Sequence, residues 1–429
     1  VTFVSIEALL SIAGVVVGFA GAAWVAVRLA RATRLGLAHP AIVWVAAHGV
    51  LFGIGALVLA VVDERPMAGL YVGTGAGAFA LGAWSSASVA RRRGAAGPAW
   101  IGADDIAPVR VAVAIALAIL SVGLLVPTFL ESGIPFLTTD ITGARSEIAG
   151  LVVQPLRVAL PTLAVALVLR ARRAAPEERR QSFAVAVAGL VLVGGFELLM
   201  ASRYLLAELA LAVALGWLLA GGRIRWPLAI AGVVVAAVLF GSIQLARAWD
   251  LAADRPLAFL VERTVSRVVL VQPRTMDALM ETIPAEEPFF MGLTWVRRLG
   301  PLLGRDDIPN IGYWIYPKVV DDPSAVGGYA APGLIGEAWA NFGWAGLLLL
   351  AGVGVAAERL GSLAASRRAG SADVVAASLA ILFLARTHAL GLVGLLVVLA
   401  LVAAWRVLAG PDGGLRSTIT RTVTWRPPA

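Results

Sequence analysis

Cysteine is absent from the 429 residues, which excludes disulfides, thiolate metal sites and a cysteine nucleophile. Charge is sparse: 14% of residues are Asp, Glu, Lys or Arg, against about 25% in soluble domains, so most of the chain cannot face water. There are three histidines, and no HExxH, P-loop, GxGxxG after a strand, or DxD motif occurs. Neither nucleotide chemistry nor a metal is demanded, and no cofactor is expected. The acidic pairs Asp306-Asp307 and Asp321-Asp322 could hold a cation, but solvated turns are their plainer use. No internal repeat and no inverted symmetry of the two halves is evident, which argues against a secondary transporter.

What the chain has is apolar length. Hydrophobic residues make up 59%, with a mean hydropathy of +0.86. Stretches of about 20 apolar residues recur, each near the span of a ~30 Å hydrocarbon core. Backbone groups in lipid must be satisfied within the segment, and the alternation of a barrel strand is missing, so these stretches read as helices. The expectation is an all-α polytopic membrane protein of about eleven transmembrane helices. They fall near 4–27, 41–62, 67–90, 110–130, 148–169, 183–201, 204–221, 226–246, 333–357, 372–389 and 391–408. The first run has no basic n-region and no small-residue cleavage site, and reads as a retained span.

Arginines set the orientation. Every odd-numbered span runs into a basic segment: Arg28, Arg31 and Arg34; Arg91 to Arg93; Arg170, Arg172, Arg173, Arg179 and Arg180; Arg223 and Arg225; Arg359, Arg367 and Arg368; and finally Arg406, Arg416, Arg421 and Arg426. The alternate loops are arginine-poor. This places the N-terminus outside, the C-terminus in the cytoplasm, and the chain in the cytoplasmic membrane. The net charge of +8 then follows from helix ends on one side and calls for no nucleic acid. The division is helices 1–246, a large extracytoplasmic loop or cap 247–332 between spans 8 and 9, helices 333–408 and a tail 409–429. Within the loop one or two short helices are expected, for example from Pro256 to Asp277.

Ionisable residues inside spans are costly, about 2.5–3.5 kcal/mol for a mid-helix arginine, and so are functional candidates. Arg157 stands ~14 Å into its span, flanked by Pro155 and Pro161. It reads as an anion ligand or as the ion-pair partner of Glu197 or Glu208. Arg145, Arg203 and Arg386 lie towards the arginine-poor side, where converging guanidinium forks suit a diphosphate. Taken singly, each is an interfacial anchor or a salt-bridge partner. Glu337 and Asn341 share a helix face just after Pro332-Gly333. The carboxylate is a helix cap or a general base for a sugar hydroxyl. His388, beside Arg386, is a second base or a hydrogen-bonded anchor, while His39 and His48 read as structural. Trp295, Tyr313, Trp314, Tyr316 and Tyr329 stack on sugars or pack the loop against the bilayer interface.

Gly292-Leu-Thr-Trp295 through Pro309, followed by Ala331-Pro-Gly-Leu-Ile-Gly-Glu-Ala-Trp-Ala-Asn-Phe-Gly-Trp-Ala-Gly346, resembles the Wzy-type O-antigen polymerases. Gly133-Ile-Pro135, Ala144-Arg145 and Ser202-Arg203 are similar to further motifs of that family. The R-x10-G repeats of some members do not appear. The resemblance implies a GT-C-like bundle and a metal-independent glycosyltransferase acting on the outer face. Its partners would be an undecaprenyl-pyrophosphate-linked oligosaccharide and membrane lipid, with a flippase or a chain-length regulator as further candidates. Carried over by position, Arg145 and Arg203 would bind pyrophosphate or glycan, and Glu337 with Asn341 would lie at the reacting end. A lipid-linked glycan ligase and an anion or lipid transporter are the alternatives.

Overall fold

A computed structural model describes residues 5–62, 66–92, 111–138, 153–200, 203–219, 221–223, 254–297, 307–322 and 329–365, with single positions between 227 and 245 and at 378–379. Among them every regular element is helical and there is no strand. Five helical stretches are long and apolar enough to cross a membrane: Ile6–Thr33, Pro40–Val61, Ala114–Leu137, Arg179–Leu199 and Gly333–Ser362. The chain is thus a membrane protein built of helices. The expected spans 391–408 and, apart from isolated helical positions, 226–246 and 372–389 lie outside the described residues.

In chain order the helices are α1 (Ile6–Thr33), α2 (Pro40–His48), α3 (Gly55–Val62), α4 (Pro66–Arg92), α5 (Val111–Gly123), α6 (Val126–Ser132), α7 (Val153–Arg173), α8 (Arg179–Leu199) and α9 (Arg203–Leu219). Two longer-loop helices follow, α10 (Pro256–Val265) and α11 (Val271–Thr282). Then come the short α12 (Leu293–Val296), α13 (Ile311–Trp314) and α14 (Tyr316–Val319), and finally α15 (Gly333–Phe342) and α16 (Gly346–Ala364). Alpha-helical ends follow local chemistry. Ser5 caps α1 by accepting the Ala8 N–H at 3.1 Å, Glu7 lies in its first turn, and Arg34 closes it in the left-handed conformation.

The helices form two groups. In the first, α4 lies between α1 and α16, and glycine sets the spacing. A Cβ at Gly18 would stand 2.0 Å from the Gly73 carbonyl oxygen, one at Gly82 1.9 Å from that of Ala351, and one at Gly354 2.0 Å from that of Phe79. Backbones this close gain dispersion contacts that lipid tails cannot supply, which is how helices associate where the hydrophobic effect is absent. Trp44 of α2 stacks on Phe79 of α4 with ring centroids 3.9 Å apart. In the second group α7 is central, buried on all sides from Val158 to Leu169, and packs against α5, α8 and α9. The groups meet where Ala38 and Val43 enclose Leu215. Arg28 over Trp24 and Arg172 over Trp217, at 5.1 and 4.7 Å, place cation–aromatic pairs towards the ends of α1 and α7, as suits a membrane–water boundary.

Where one or two short helices are expected in the long loop, a helical run extends from Pro256 to Thr282, with a π turn at Ser266–Leu270 joining α10 to α11. It packs into the first group. A Cβ at Gly55 would meet the Val269 carbonyl oxygen at 1.7 Å. Met276 and Leu279 share a core with Tyr71 and Val72 of α4 and with Ile335 and Trp339 of α15. The Trp339 indole N–H donates to the Ile283 carbonyl at 3.2 Å, and Lys318 pairs with Glu286. The described part of the loop is therefore a folded piece fixed to the bundle, and it delivers α12 to α15.

Candidate functional site

Helix α15 begins after Pro332 and stops at Gly343, whose φ of 56° favours glycine and whose Cβ would lie 2.6 Å from the Phe289 ring. The Tyr71 hydroxyl donates to the Gly343 carbonyl at 3.1 Å, and a 3-10 turn leads into α16. The end of α15 would leave carbonyls without partners. The loop segment 290–292 takes two of them: Phe290 N–H donates to the Ala340 carbonyl at 3.1 Å and Met291 N–H to that of Asn341 at 3.0 Å. This docking turns α12, and with it Thr294 and Trp295, onto the face of α15 that carries Glu337 and Asn341.

Here the polar groups meet. Thr294 Oγ1 lies 2.9 Å from Glu337 Oε2 and 3.2 Å from Asn341 Oδ1. Asn341 Nδ2 lies 2.8 Å from Thr294 Oγ1 and 2.9 Å from the Glu337 carbonyl oxygen, and Asn341 Oδ1 accepts the Gly292 N–H at 2.8 Å. Glu337 is partly buried and Asn341 fully so. The first turn of α15 holds no acid, so Glu337 is not an N-terminal cap; its carboxylate is turned to the loop. The indole N–H of Trp295 is buried beside this carboxylate without the geometry of a hydrogen bond to it, and its ring meets Phe342 edge-on at 5.5 Å. The cluster thus offers one carboxylate held by a hydroxyl and an amide, at the junction of a loop and a helix. That arrangement can accept a proton from a ligand hydroxyl.

No family model, no curated protein and no solved structure matches this chain.

The other expected site residues are spread more widely. Tyr329 packs its ring over Gly312 and edge-on to Tyr313 at 5.0 Å, next to the Ala330 N–H that donates to the Gly312 carbonyl. It braces the loop ahead of α15. Arg157 stands in the second turn of α7 and Arg203 opens α9; their side chains, and Arg145, Arg386 and His388 altogether, lie outside the described residues. Buried Glu197, in the last turn of α8, and buried Glu208, in the second turn of α9, stand at the end of the second group where α7 begins. His48, read as structural, stacks on Trp44 at 4.2 Å and bonds to its carbonyl at 3.0 Å through Nδ1. Among the described residues no three His, Asp or Glu gather as metal ligands.

Thr294 is the functional candidate that sequence reasoning passed over. It sits inside the quoted Gly292-Leu-Thr-Trp295 segment, but it reaches Glu337 across 43 positions, and no spacing rule links residues so far apart.

Proposed function

We propose that the chain is a metal-independent glycosyltransferase at the outer face of the cytoplasmic membrane, extending undecaprenyl-pyrophosphate-linked oligosaccharide repeat units as Wzy-type polymerases do. One observation carries the reading. Parts of two of the segments that carry the resemblance, Gly292–Trp295 and Gly336–Gly343, are bonded to each other through Thr294, Glu337, Asn341 and Gly292. They leave a carboxylate at the point of contact.

In this reading Glu337 takes the proton of the acceptor sugar's hydroxyl. The hydroxyl oxygen bonds to the anomeric carbon of the donor glycan, and the carbon–oxygen bond to the diphosphate breaks with its electron pair leaving on the diphosphate. The leaving group carries its own activation, so no nucleotide enters. Arg145, Arg157, Arg203 and Arg386 are proposed as diphosphate or glycan ligands, for the fixed fork and permanent charge of guanidinium. His388 is proposed as a second base and Tyr329 as a glycan contact. Eleven spans, an outside N-terminus, a cytoplasmic C-terminus and a flippase or chain-length regulator as partner belong to the same proposal.

The test supplies lipid-linked repeat units, and nothing else, to membranes holding the protein. Longer chains are expected with the wild-type protein, and a loss of about 100-fold or more with Glu337→Gln at equal abundance. A full rate in Glu337→Gln would overturn the base assignment. Transfer only after a second acceptor is added would replace the polymerase with a ligase.

A further inference from the structure

The hydrogen bonds around Glu337 have a direction that can be worked out by counting protons. Gly292 N–H can only donate, so the atom of Asn341 facing it at 2.8 Å is the amide oxygen. The amide nitrogen therefore faces the other way, with two hydrogens and three acceptors in reach: Thr294 Oγ1 at 2.8 Å, the Glu337 carbonyl at 2.9 Å and, farthest, Glu337 Oε2 at 3.4 Å; the two nearest take them. Both hydrogens are used. Thr294 Oγ1 already accepts one of them, and its own single hydrogen has two possible acceptors, Glu337 Oε2 at 2.9 Å and Asn341 Oδ1 at 3.2 Å. The carboxylate oxygen is the nearer, and a bond to an ionised acceptor is the stronger. Asn341 Oδ1, which also accepts from Gly292, is the farther of the two.

We infer that Thr294 is the positioning residue of Glu337: its hydroxyl commits Oε2 to the loop and leaves Oε1 as the oxygen that exchanges a proton with the ligand. Backbone groups that cannot reverse, the Gly292 N–H and the Glu337 carbonyl, set the amide of Asn341, and the Thr294 hydroxyl then has Oε2 as its nearer acceptor. In this arrangement Oε2 is the oxygen engaged by the loop. A proton taken from a ligand hydroxyl goes to Oε1. Docking of the loop segment 290–292 on α15 thereby fixes both the direction of the carboxylate and which of its oxygens works. The inference rests on the proposed transfer for its kinetics, but the state of the carboxylate does not depend on that reaction.

The experiment compares wild type, Thr294→Val and Thr294→Ser, with Glu337→Gln as reference. Valine keeps the shape and removes the hydroxyl; serine restores it. With lipid-linked repeat units, Thr294→Val is expected to lower kcat roughly tenfold or more with KM little changed, as for a misplaced reacting group, and Thr294→Ser to recover most of it. In parallel, the carboxylate stretching band of Glu337, identified as the band lost in Glu337→Gln, is read by infrared difference spectroscopy. Loss of the Thr294 hydrogen bond is expected to shift it, and serine to return it. Should Thr294→Val fail to accumulate in membranes, Thr294→Ala takes its place in both arms. A wild-type protein inert towards repeat units would refute the proposed transfer, and the infrared arm would still decide the role of Thr294. An active wild type with an unmoved band and unchanged kcat in the hydroxyl-free variant would overturn the positioning role and leave the transfer standing.

Discussion

At His39 a side-chain nitrogen takes the place of a capping oxygen: Nδ1 accepts the Ala41 N–H at 3.1 Å at the start of α2. An accepting Nδ1 puts the neutral ring's proton on Nε2, which is buried without a partner, 2.5 Å from where a Cβ on Gly361 would stand. Burial lowers the pKa from 6.5 to about 4. The unfolded chain binds the proton near 6.5 while the folded chain resists it until about 4. Stability is therefore full above 6.5 and is lost as pH falls towards 4, at no more than about 1.4 kcal/mol per pH unit. Melting temperatures between pH 7 and 4 are expected to fall with a slope that His39→Asn reduces, since asparagine caps without titrating; an unchanged slope would contradict this. Gly343 is constrained in a different way, by backbone and by space. Gly343→Ala is expected to cost about 1 kcal/mol or more, from its positive φ and the Phe289 contact, and to lower the denaturation midpoint accordingly.

Among the elements, α4 has the most to hold. It touches α1 and α16 through glycine on two sides, with a Cβ at Gly73 falling 2.2 Å from the Gly14 carbonyl oxygen. Backbone cannot retreat as a flexible side chain can, so Gly73→Leu must separate α1 from α4. The expected result is loss of monodisperse protein after extraction, whereas Gly77→Leu, whose Cβ would meet nothing within 4 Å, leaves it intact. Equal behaviour of the two would argue against close packing at Gly73. Helix positions were legible in the sequence because hydrocarbon thickness sets a minimum apolar length. The runs 41–62 and 67–90 correspond closely to α2 with α3 and to α4. The π turns at Gly49–Ile54 and Ser266–Leu270 were not legible. They pack against each other, and neither Gly49–Ile54 nor Ser266–Leu270 contains a proline that would mark it in the sequence.

Taken as a whole, the molecule sets a folded loop against a membrane bundle and puts a carboxylate where they join. Glu337 and Asn341 could be paired from sequence, because four positions on a helix return to the same face. Thr294 could not be paired with them, because its approach depends on the path of the loop through Trp339, Ile283 and Phe289. For the arginines, sequence supplies membrane side and approximate depth, but convergence is a property of how helices α7 to α9 stand relative to α15. The measurement that bears most directly on the account is an experimental structure of the protein with a lipid-linked oligosaccharide bound. The account predicts an acceptor hydroxyl within about 2.6–3.2 Å of Glu337 Oε1, with Oε2 still held by Thr294 and the diphosphate among arginine side chains. A glycan seated away from Glu337, with the arginines each tied to separate acids around the perimeter, would contradict it.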